Sequence, residues 1–351
     1  MDYYRPLLTL SLAGSHATVN AVLELLNTKA GSLPFTPAIS GVLTQEHGCQ
    51  WQKGRVFSPE ELLRDAPVHK RINGGTIGFL KKIPSDVFLD IDSAESDHGN
   101  ETAAFLLEAL QSGRHVITNN RAALAFHLPE LQQAAERTHR LLRFESCLLD
   151  GLPVFNLRRY CLQGERIHRI RGILNSTSNY VLQRMAQGIV QINAVAEARA
   201  AGLCEQNPDF DLNGWDAALK VRILATALMD GSIDIAAIRR DDWNLHAAEI
   251  VARANKQGGR PAQIASIEYD GERITASVRL QTLAQDDAFF SLADYQYGLA
   301  LKTDSVGELV LLGRTPGLRS RAFGFLADLM DIYTLHIKQQ RPSLFDSEDS
   351  V

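Results

Sequence analysis

The first 150 residues of this 351-residue chain alternate short apolar runs with segments whose apolar residues recur three and four positions apart. This alternation limits the possible folds more than any other feature, because it is typical of strands linked by helices. Strands linked in this way run parallel and need helices on both faces of the sheet. We therefore expect an α/β fold with a doubly wound parallel sheet. The predicted strands are 7–13, 38–43, 86–91, 115–118 and 141–145, and the predicted helices are 102–112 and 129–140.

The pattern changes after residue 150. Two runs of alternating apolar and polar residues within 262–280 are separated by Tyr269-Asp270-Gly271-Glu272, and Asp-Gly between such runs predicts a β-hairpin. A chain of this length has room for two hydrophobic cores. We expect a parallel-sheet domain over 1–150, completed by a C-terminal helix within 313–337, an α+β domain over 151–312, and a polar tail over 338–351. Further predicted strands are 167–173 and 308–312, and further predicted helices are 176–188, 194–202, 216–229 and 319–335.

Composition excludes several classes of function. The formal net charge of -5 and scattered basic residues argue against a nucleic-acid partner, and no apolar stretch is long enough to span a membrane. The N-terminus lacks the pattern of a signal peptide, so we expect a cytoplasmic protein. The four cysteines contain no Cys-x-x-Cys pair, so neither a metal site nor a disulfide framework is expected. They are Cys49, Cys147, Cys161 and Cys204.

The densest polar cluster of the chain lies between residues 204 and 220. Asp216 and Lys220 are four positions apart, so on a helix they share one face, and Glu205 and Asp211 lie on the preceding loop. A lysine among carboxylates is suited to moving a proton and to binding an amino-acid ammonium group. For the pair alone, a solvated ion pair on a capped surface helix is the more common interpretation.

The full string around this cluster resembles the substrate-site signature of homoserine dehydrogenases, Glu-x-x-Pro-x-x-Asp-x-x-Gly-x-Asp-x-x-x-Lys. Residues 172–180 resemble the Gly-Ile-x-Asn-Gly-Thr-x-Asn-Tyr segment of that family, and residues 113–125 its Gly-Lys-His-Val-Val-Thr-Ala-Asn-Lys segment. Including Glu145 and the turn 151–153, the resemblance runs from the first strand to about residue 328. In this chain the signature reads Glu205, Pro208, Asp211, Gly214, Asp216 and Lys220.

The resemblance implies a Rossmann-like cofactor domain and reversible NAD(P)H-dependent reduction of L-aspartate 4-semialdehyde, or a similar semialdehyde, to L-homoserine. It implies that Lys220 is the acid/base, that Asp216 positions it and that Glu205 completes the catalytic set. It further implies a homodimer that pairs through the hairpin 264–280. The implied substrate-binding residues are Asp211, Thr177, Asn179, Tyr180 and Arg121. The implied cofactor-binding residues are Gly14, Ser15, Ala17, Thr18, Val19, Thr44, Asp92, Thr118, Asn120 and Gly317.

The cofactor half departs from the family pattern at several positions. The first turn, 13–19, keeps one glycine, and the strand end 42–45 lacks the acid that binds a ribose 2′-hydroxyl, which favours NADP mildly over NAD. Lys53 or Arg55 could reach a 2′-phosphate, although solvation is the more common role of such residues. The other departures are Arg121 in place of a lysine, Ser176 in place of a glycine, the bulky turn 313–317, and Asp150 in a loop where the family binds a monovalent cation.

These departures leave two further hypotheses open beside the dehydrogenase. One is a homologue without redox activity that acts as a binding or regulatory subunit. The other is a non-redox enzyme that uses Glu205, Asp216 and Lys220 on an amino-acid substrate. The complete substrate signature favours the dehydrogenase.

Overall fold

The structure is a computed structural model that describes residues 5–64, 69–70, 72–92, 97–203, 208–314 and 317–337. The chain divides into two compact units. The first unit comprises Met1–Asn120, Pro129–Ser146 and Leu318–Val351, and the second comprises Arg121–Leu128 and Cys147–Gly317. The predicted tail 338–351 lies outside the described residues.

Strands and helices alternate through the first part of the chain, and strands dominate the later part. The strands are β1 Leu7–Gly14, β2 Thr36–Thr44, β3 Gly48–Gln50, β4 His69–Lys70, β5 Val87–Ile91, β6 His115–Thr118, β7 Leu142–Arg143, β8 Ile167–Ile173, β9 Arg239–Arg240, β10 Arg260–Tyr269, β11 Ile274–Leu283, β12 Tyr297–Thr303 and β13 Glu308–Gly313. The helices are α1 His16–Lys29, α2 Pro59–Arg64, α3 Gly75–Lys82, α4 Asn100–Gln111, α5 Arg121–Arg137, α6 Val154–Tyr160, α7 Ser176–Ala186, α8 Gln191–Ala200, α9 Asp209–Leu212, α10 Trp215–Met229, α11 Trp243–Gln257 and α12 Leu318–Ile332. Short 3-10 turns lie at Ala30–Ser32, Asp97–Gly99, Glu145–Cys147 and Ile235–Ala237, and a π-helical turn at Tyr333–Ile337 follows α12.

The first unit is built on a seven-stranded sheet in the order β4-β3-β2-β1-β5-β6-β7. The five strands from β2 to β7 are parallel, and β3 and β4 extend the sheet antiparallel at one edge. β1 pairs with β2 on one side and with β5 on the other, so the order of the strands reverses at β1. This reversal creates a crevice at the carboxyl ends of β1 and β5, which is where open α/β sheets bind ligands. The predicted Rossmann-like parallel sheet is confirmed.

The core of the first unit joins the beginning of the sequence to its last long helix. Leu10 of β1, Leu23 and Leu26 of α1, and Phe325 and Leu329 of α12 belong to one buried cluster and are at most 2% exposed. Burying side chains of this size contributes about 1.5–3 kcal/mol each. The C-terminal helix is therefore an integral layer of the parallel-sheet unit.

The second unit contains a six-stranded sheet in the order β13-β12-β8-β10-β11-β9. All neighbours in it are antiparallel except β11 and β9. The predicted hairpin is confirmed as β10 and β11, and the Asp270 carboxylate accepts hydrogen bonds from the N–H groups of Glu272 and Arg273 in its turn. Residues from α7, α8, α11 and β11 share a buried apolar cluster.

The structure differs from the sequence prediction at α5. The prediction began this helix at Pro129, but the helix begins at Arg121 and Pro129 lies inside it. Proline is common in a first turn and disfavoured in a helix interior. Ala123 and Leu124, which lie before the proline, are at most 1% exposed. The free energy gained by burying them outweighs the backbone hydrogen bond that Pro129 cannot donate. The predicted strand at 141–145 is only Leu142–Arg143, and the short elements between β2 and β5 were not predicted.

Among the described residues, no helix combines the length and the hydropathy needed to cross a bilayer.

Candidate active site

Lys220 and Asp216 form a buried ion pair on one face of α10. The Nζ atom of Lys220 lies 2.8 Å from Oδ2 of Asp216, and the two side chains are 9% and 5% exposed. The same ammonium donates a hydrogen bond to the backbone oxygen of Leu174 at 2.7 Å. The pair is therefore not the solvated surface pair that its spacing alone would suggest.

The start of α10 determines where this pair lies. Gly214 precedes the helix with φ +73°, and a Cβ atom there would lie 2.9 Å from Cγ1 of Val278. The side-chain oxygen of Asn213 accepts a hydrogen bond from the Trp215 N–H at 3.1 Å. Because α10 starts here, Asp216 lies in its first turn, where the helix dipole favours a carboxylate.

Asn175 connects the two carboxylates of the cluster. Its side-chain nitrogen donates to Oδ1 of Asp211 at 2.8 Å and to Oδ2 of Asp216 at 2.9 Å. Its side-chain oxygen accepts from the Ser178 N–H at 2.8 Å and thereby caps α7. Sequence analysis did not identify this residue, although its place at the start of a predicted helix was a usable signal.

Arg121 is the second cation on Asp216. Its Nε atom lies 2.8 Å from Oδ1 of Asp216, and its side chain is 31% exposed. The two oxygens of Asp216 thus contact different cations, since Lys220 contacts Oδ2. Arg121 is a permanent cation, so it can orient and charge-stabilise the carboxylate but cannot exchange protons at neutral pH.

The environment shifts the pKa values of Asp211 and Asp216 in opposite directions. Burial favours a neutral Asp216, but the charges of Lys220 and Arg121 and the hydrogen bonds to the carboxylate outweigh it and hold its pKa at about 2. Burial, and secondly the charge of Asp216, raise the pKa of Asp211. A ligand ammonium next to Asp211 would favour its ionised form by charge attraction and so offset both effects. The cluster is therefore suited to a cationic substrate group.

Lys220 retains capacity for one more hydrogen bond within the described part of the chain. An ammonium has three N–H donors, and the contacts to Asp216 and Leu174 use two of them. A carbonyl or hydroxyl oxygen of a substrate can take the third. Such a group can hold a ligand oxygen and pass it a proton.

The remaining predicted substrate residues are placed differently. The Thr177 hydroxyl donates to the Leu203 oxygen at 2.6 Å. Asn179 is fully buried: its side-chain nitrogen donates to the backbone oxygens of 293, 294 and 296 at 3.0–3.3 Å, and its side-chain oxygen accepts from Arg260. The Tyr180 hydroxyl is 3.5 Å from Glu197. The structure thus brings Asp211, Asp216, Lys220 and Arg121 together and gives Asn179 and Tyr180 other partners. Glu205 lies outside the described residues.

The first turn of the parallel-sheet unit contains the single glycine of its motif. Gly14 has φ +146°, and a Cβ atom there would lie 1.6 Å from the backbone oxygen of Ile91. Ser15 donates its N–H to this oxygen at 3.0 Å and caps α1 by accepting from the Thr18 N–H. Ala17 is exposed and Val19 is buried against the sheet. The predicted glycine is thus required by the approach of β1 to β5.

Asp92 occupies the end of β5 in a strained conformation. Its φ is +50°, which is uncommon for a residue other than glycine. Its carboxylate accepts hydrogen bonds from Thr18 Oγ1 at 2.5 Å and from the side-chain nitrogen of Asn119 at 2.5 Å. Arg321 of α12 lies 3.2 Å from the same carboxylate. Asn119 and Arg321 were not identified from the sequence, because their proximity to Asp92 depends on the fold.

Four further predicted cofactor residues make internal contacts. Thr44 Oγ1 accepts from the His47 N–H at 3.1 Å. Thr118 is fully buried and donates to Asp90, and Asn120 is 1% exposed. Gly317 belongs to the second unit, where its N–H donates to Asp150 at 3.1 Å.

An acidic residue that the sequence analysis missed lies just beyond β2. Glu46, two positions after the last residue of β2, accepts from the His16 N–H at 3.3 and 3.4 Å. The strand-end sequence 42–45 contains no acidic residue, so the prediction did not include Glu46. No group of three or more metal-ligating His, Cys, Asp or Glu side chains occurs within the described ranges.

Comparison with known proteins relates this chain to one family. A family model for homoserine dehydrogenase matches residues 153–330. The homoserine dehydrogenase of Sulfurisphaera tokodaii is 28% identical over 88% of this chain and 93% of its own length. The NAD(+)-dependent homoserine dehydrogenase of Pseudomonas canavaninivorans is 28% identical over 78% of this chain and 80% of its own length. The homoserine dehydrogenase of Methanocaldococcus jannaschii is 30% identical over 74% of this chain and 76% of its own length.

Solved structures show the same fold. The putative homoserine dehydrogenase of Archaeoglobus fulgidus superposes with a TM-score of 0.81 at 23% identity, over 93% of this chain and 99% of that one. A hyperthermophilic archaeal homoserine dehydrogenase in complex with NADPH gives a TM-score of 0.79 at 21% identity, over 96% and 99%. Because the family model matches residues 153–330, about half of the chain, and the Methanocaldococcus jannaschii relative is 30% identical over 74% of it, this chain belongs to the homoserine dehydrogenase family.

Proposed function

We propose that this protein is an NAD(P)-dependent homoserine dehydrogenase that interconverts L-aspartate 4-semialdehyde and L-homoserine. The observation that carries the proposal is the buried ammonium of Lys220, held by Asp216 and by the Leu174 oxygen with one donor left for a substrate. Relatives with this activity in their names, one of them NAD(+)-dependent, and a neighbour in complex with NADPH support it.

A dinucleotide fits the donors at the crevice of the parallel-sheet unit. The first turn of α1 carries the Ser15 hydroxyl and the His16 N–H, and Arg321 lies nearby. Carboxylates of Glu46 and Asp92 hold the His16 N–H and Arg321 in this structure, and a pyrophosphate would replace them as the acceptor. Helix N-termini with such donors bind phosphate groups. We assign the pyrophosphate to these three groups. Gly14 and Thr18 shape the turn, while Thr118 and Asn120 support it from the interior.

A bound nicotinamide would supply the hydride to the aldehyde carbon or accept it from the alcohol carbon. In the reducing direction Lys220 gives a proton to the aldehyde oxygen, so that an alcohol forms. In the oxidising direction the Lys220 amine takes the proton from the alcohol. Asp216 fixes the amine and stabilises its cationic form, because it stays ionised down to a pH of about 2.

The substrate backbone has matching partners in the same cluster. Asp211 is assigned to the substrate ammonium and Arg121 to the substrate carboxylate. Glu205, which the resemblance also implies for the ammonium, lies outside the described residues. Arg121 contacts Asp216 with 31% of its side chain exposed, and a guanidinium is suited to binding a carboxylate. Thr177 supports the entrance to α7, and the contacts of Asn179 and Tyr180 favour supporting roles for them as well.

Two measurements on the purified full-length protein test this function. Fluorescence titration with NADH and NADPH measures binding, and the appearance of reduced nicotinamide with L-homoserine measures turnover. We expect binding of at least one cofactor and L-homoserine-dependent reduction. Absence of binding at millimolar cofactor, or binding without turnover, would contradict the dehydrogenase and favour the redox-inactive subunit or the non-redox enzyme.

A homodimer formed through the β10–β11 hairpin and a cytoplasmic location are also proposals. The hairpin is long, with ten residues in each strand. Sedimentation equilibrium of the purified chain distinguishes the assembly states, and the mass of a single chain would contradict the dimer.

A further inference from the structure

We propose that Asn175 is a positioning residue of the active site, which fixes both aspartates and so holds the substrate ammonium and the Lys220 amine in one arrangement. The inference rests on the proposed function and deepens it, because it adds a residue on which substrate binding and proton transfer both depend. Asn175 acts through Asp211 and Asp216 rather than by contact with the reacting atoms.

The segment between β8 and α7 contacts both members of the buried ion pair. Leu174 and Asn175 lie between Ile173, the last residue of β8, and the first residue of α7. The backbone oxygen of Leu174 accepts a hydrogen bond from Nζ of Lys220 at 2.7 Å. The next residue donates to Oδ2 of Asp216 at 2.9 Å. Two consecutive residues therefore hold the cation and the anion of the pair.

The orientation of the Asn175 amide follows from its contacts. Its side-chain oxygen accepts from the Ser178 N–H at 2.8 Å, so its side-chain nitrogen faces the carboxylates. The Ser178 hydroxyl lies 3.2 Å from the backbone oxygen of Asn175 and 3.1 Å from Oε1 of Gln263 on β10. Asn175 and Ser178 are 6% and 1% exposed. The start of α7 thus holds the amide with its N–H groups towards the two aspartates.

The Asn175 amide offsets the repulsion between two buried carboxylates. Its nitrogen lies 2.8 Å from Oδ1 of Asp211 and 2.9 Å from Oδ2 of Asp216. An amide nitrogen has two N–H donors, so each carboxylate receives one of them. Burial and the charge of Asp216 raise the pKa of Asp211, and the hydrogen bond from Asn175 acts in the opposite direction. The amide therefore favours the ionised Asp211 that a substrate ammonium needs.

Loss of this amide should affect both substrate binding and turnover. Asp211 would lose a donor that favours its ionised form, which weakens its attraction for the ammonium. Asp216 would lose a donor on the same oxygen that contacts Lys220, so the amine is fixed less well for proton transfer. A hydrogen bond to a charged group corresponds to about tenfold or more in an equilibrium or rate constant.

The test measures steady-state kinetics with L-homoserine at saturating cofactor in four full-length proteins. These are the natural chain, Asn175→Ser, Asn175→Asp and the control Asp242→Ser. Asn175→Ser keeps an oxygen that can cap α7 but is too short to donate to both carboxylates. Asn175→Asp keeps the size and the capping oxygen but replaces the donor with an acceptor. The control exchanges the N-cap residue of α11, which accepts from the N–H groups of Asn244 and Leu245.

We expect Asn175→Ser to raise KM for L-homoserine and to lower kcat, each by about tenfold. Asn175→Asp should lower kcat/KM further, because it adds a third carboxylate to the cluster. Asp242→Ser should keep both constants at their natural values. The dissociation constant of the cofactor, measured by fluorescence, should stay unchanged throughout, because the donors assigned to the cofactor lie in the first unit.

The outcomes separate this inference from the proposed function. Natural values of KM and kcat in folded Asn175→Ser and Asn175→Asp would overturn the positioning role and leave the dehydrogenase intact. A lower kcat with the natural KM would also overturn it, because a smaller fraction of folded protein explains that result. Absence of turnover by the natural chain would overturn both. Thermal unfolding of each variant, followed by circular dichroism, verifies the fold, and either variant at position 175 suffices for the comparison.

Discussion

The Nζ atom of Lys220 lies 2.8 Å from Oδ2 of Asp216, with both side chains nearly inaccessible to solvent. A buried ion pair is stable only when its geometry and further hydrogen bonds offset the loss of hydration. Here the Leu174 oxygen and the Asn175 amide provide those bonds. The pair to which we assign proton transfer is therefore held in one geometry, and breaking it should destabilise the fold.

Acid should destabilise the fold through Asp216. Its pKa is about 2 in the folded chain against an ordinary 3.8, so its ionised form stabilises the fold at any pH above 3.8. This contribution, about 2 kcal/mol, is lost as the pH falls from 3.8 towards 2. Urea unfolding over a pH series should show a steeper acid loss for the natural chain than for Asp216→Asn. The exposed control Asp286→Asn should retain the natural slope, and equal slopes for all three would refute this prediction.

Arg121 should stabilise Asp216 without being a proton donor. Arg121→Met removes one of two cations on a buried carboxylate and should lower the free energy of unfolding by about 1–2 kcal/mol, since the arginine is partly exposed. Arg121→Lys should recover part of this free energy, because it keeps the positive charge but replaces the planar guanidinium with a compact ammonium. Denaturant titration measures both. The control Arg253→Met breaks only an exposed pair with Glu249, so a loss there as large as in Arg121→Met would contradict the argument.

Asn179 should matter for stability more than for substrate binding. Asn179→Ala removes a buried amide whose two N–H donors are shared among three backbone oxygens and should lower the free energy of unfolding by about 2–3 kcal/mol. Asn255→Ala, which removes one exposed bond to the Ala186 oxygen, should have an effect below about 1 kcal/mol. Steady-state kinetics provides the second measurement. A large rise in KM for L-homoserine with unchanged stability would restore Asn179 to the substrate site.

Much of the architecture was accessible from the sequence. The alternation of strands and helices predicted the parallel sheet, and the spacing of Asp216 and Lys220 placed both on one helix face. The contact of Arg121 with Asp216 was not accessible, because it joins residues 95 positions apart through the tertiary fold. The predicted start of α5 was wrong, because burial of the residues before Pro129 outweighed the tendency of proline to interrupt a helix. Glu46 was missed because the turn brings it to α1 two residues after the strand pattern ends.

The approach of β1 to β5 should tolerate only glycine at position 14. Gly14→Ala places a Cβ atom 1.6 Å from the Ile91 oxygen at φ +146°, so the strands must separate. We expect a loss of more than about 3 kcal/mol, or no folded protein. Gly31→Ala, with no neighbouring atom within 4 Å, should change stability by less than about 1 kcal/mol. Thermal unfolding compares the two variants, and similar melting temperatures would contradict the strand geometry.

The turnover of Lys220→Ala with L-homoserine tests the account most directly. Loss of the acid/base should lower kcat by at least about a hundredfold, while the dissociation constant of the cofactor stays unchanged. Added methylamine, whose neutral form can take the alcohol proton, should restore part of the rate. A variant that folds, binds cofactor and oxidises L-homoserine at the natural rate would contradict the role assigned to Lys220.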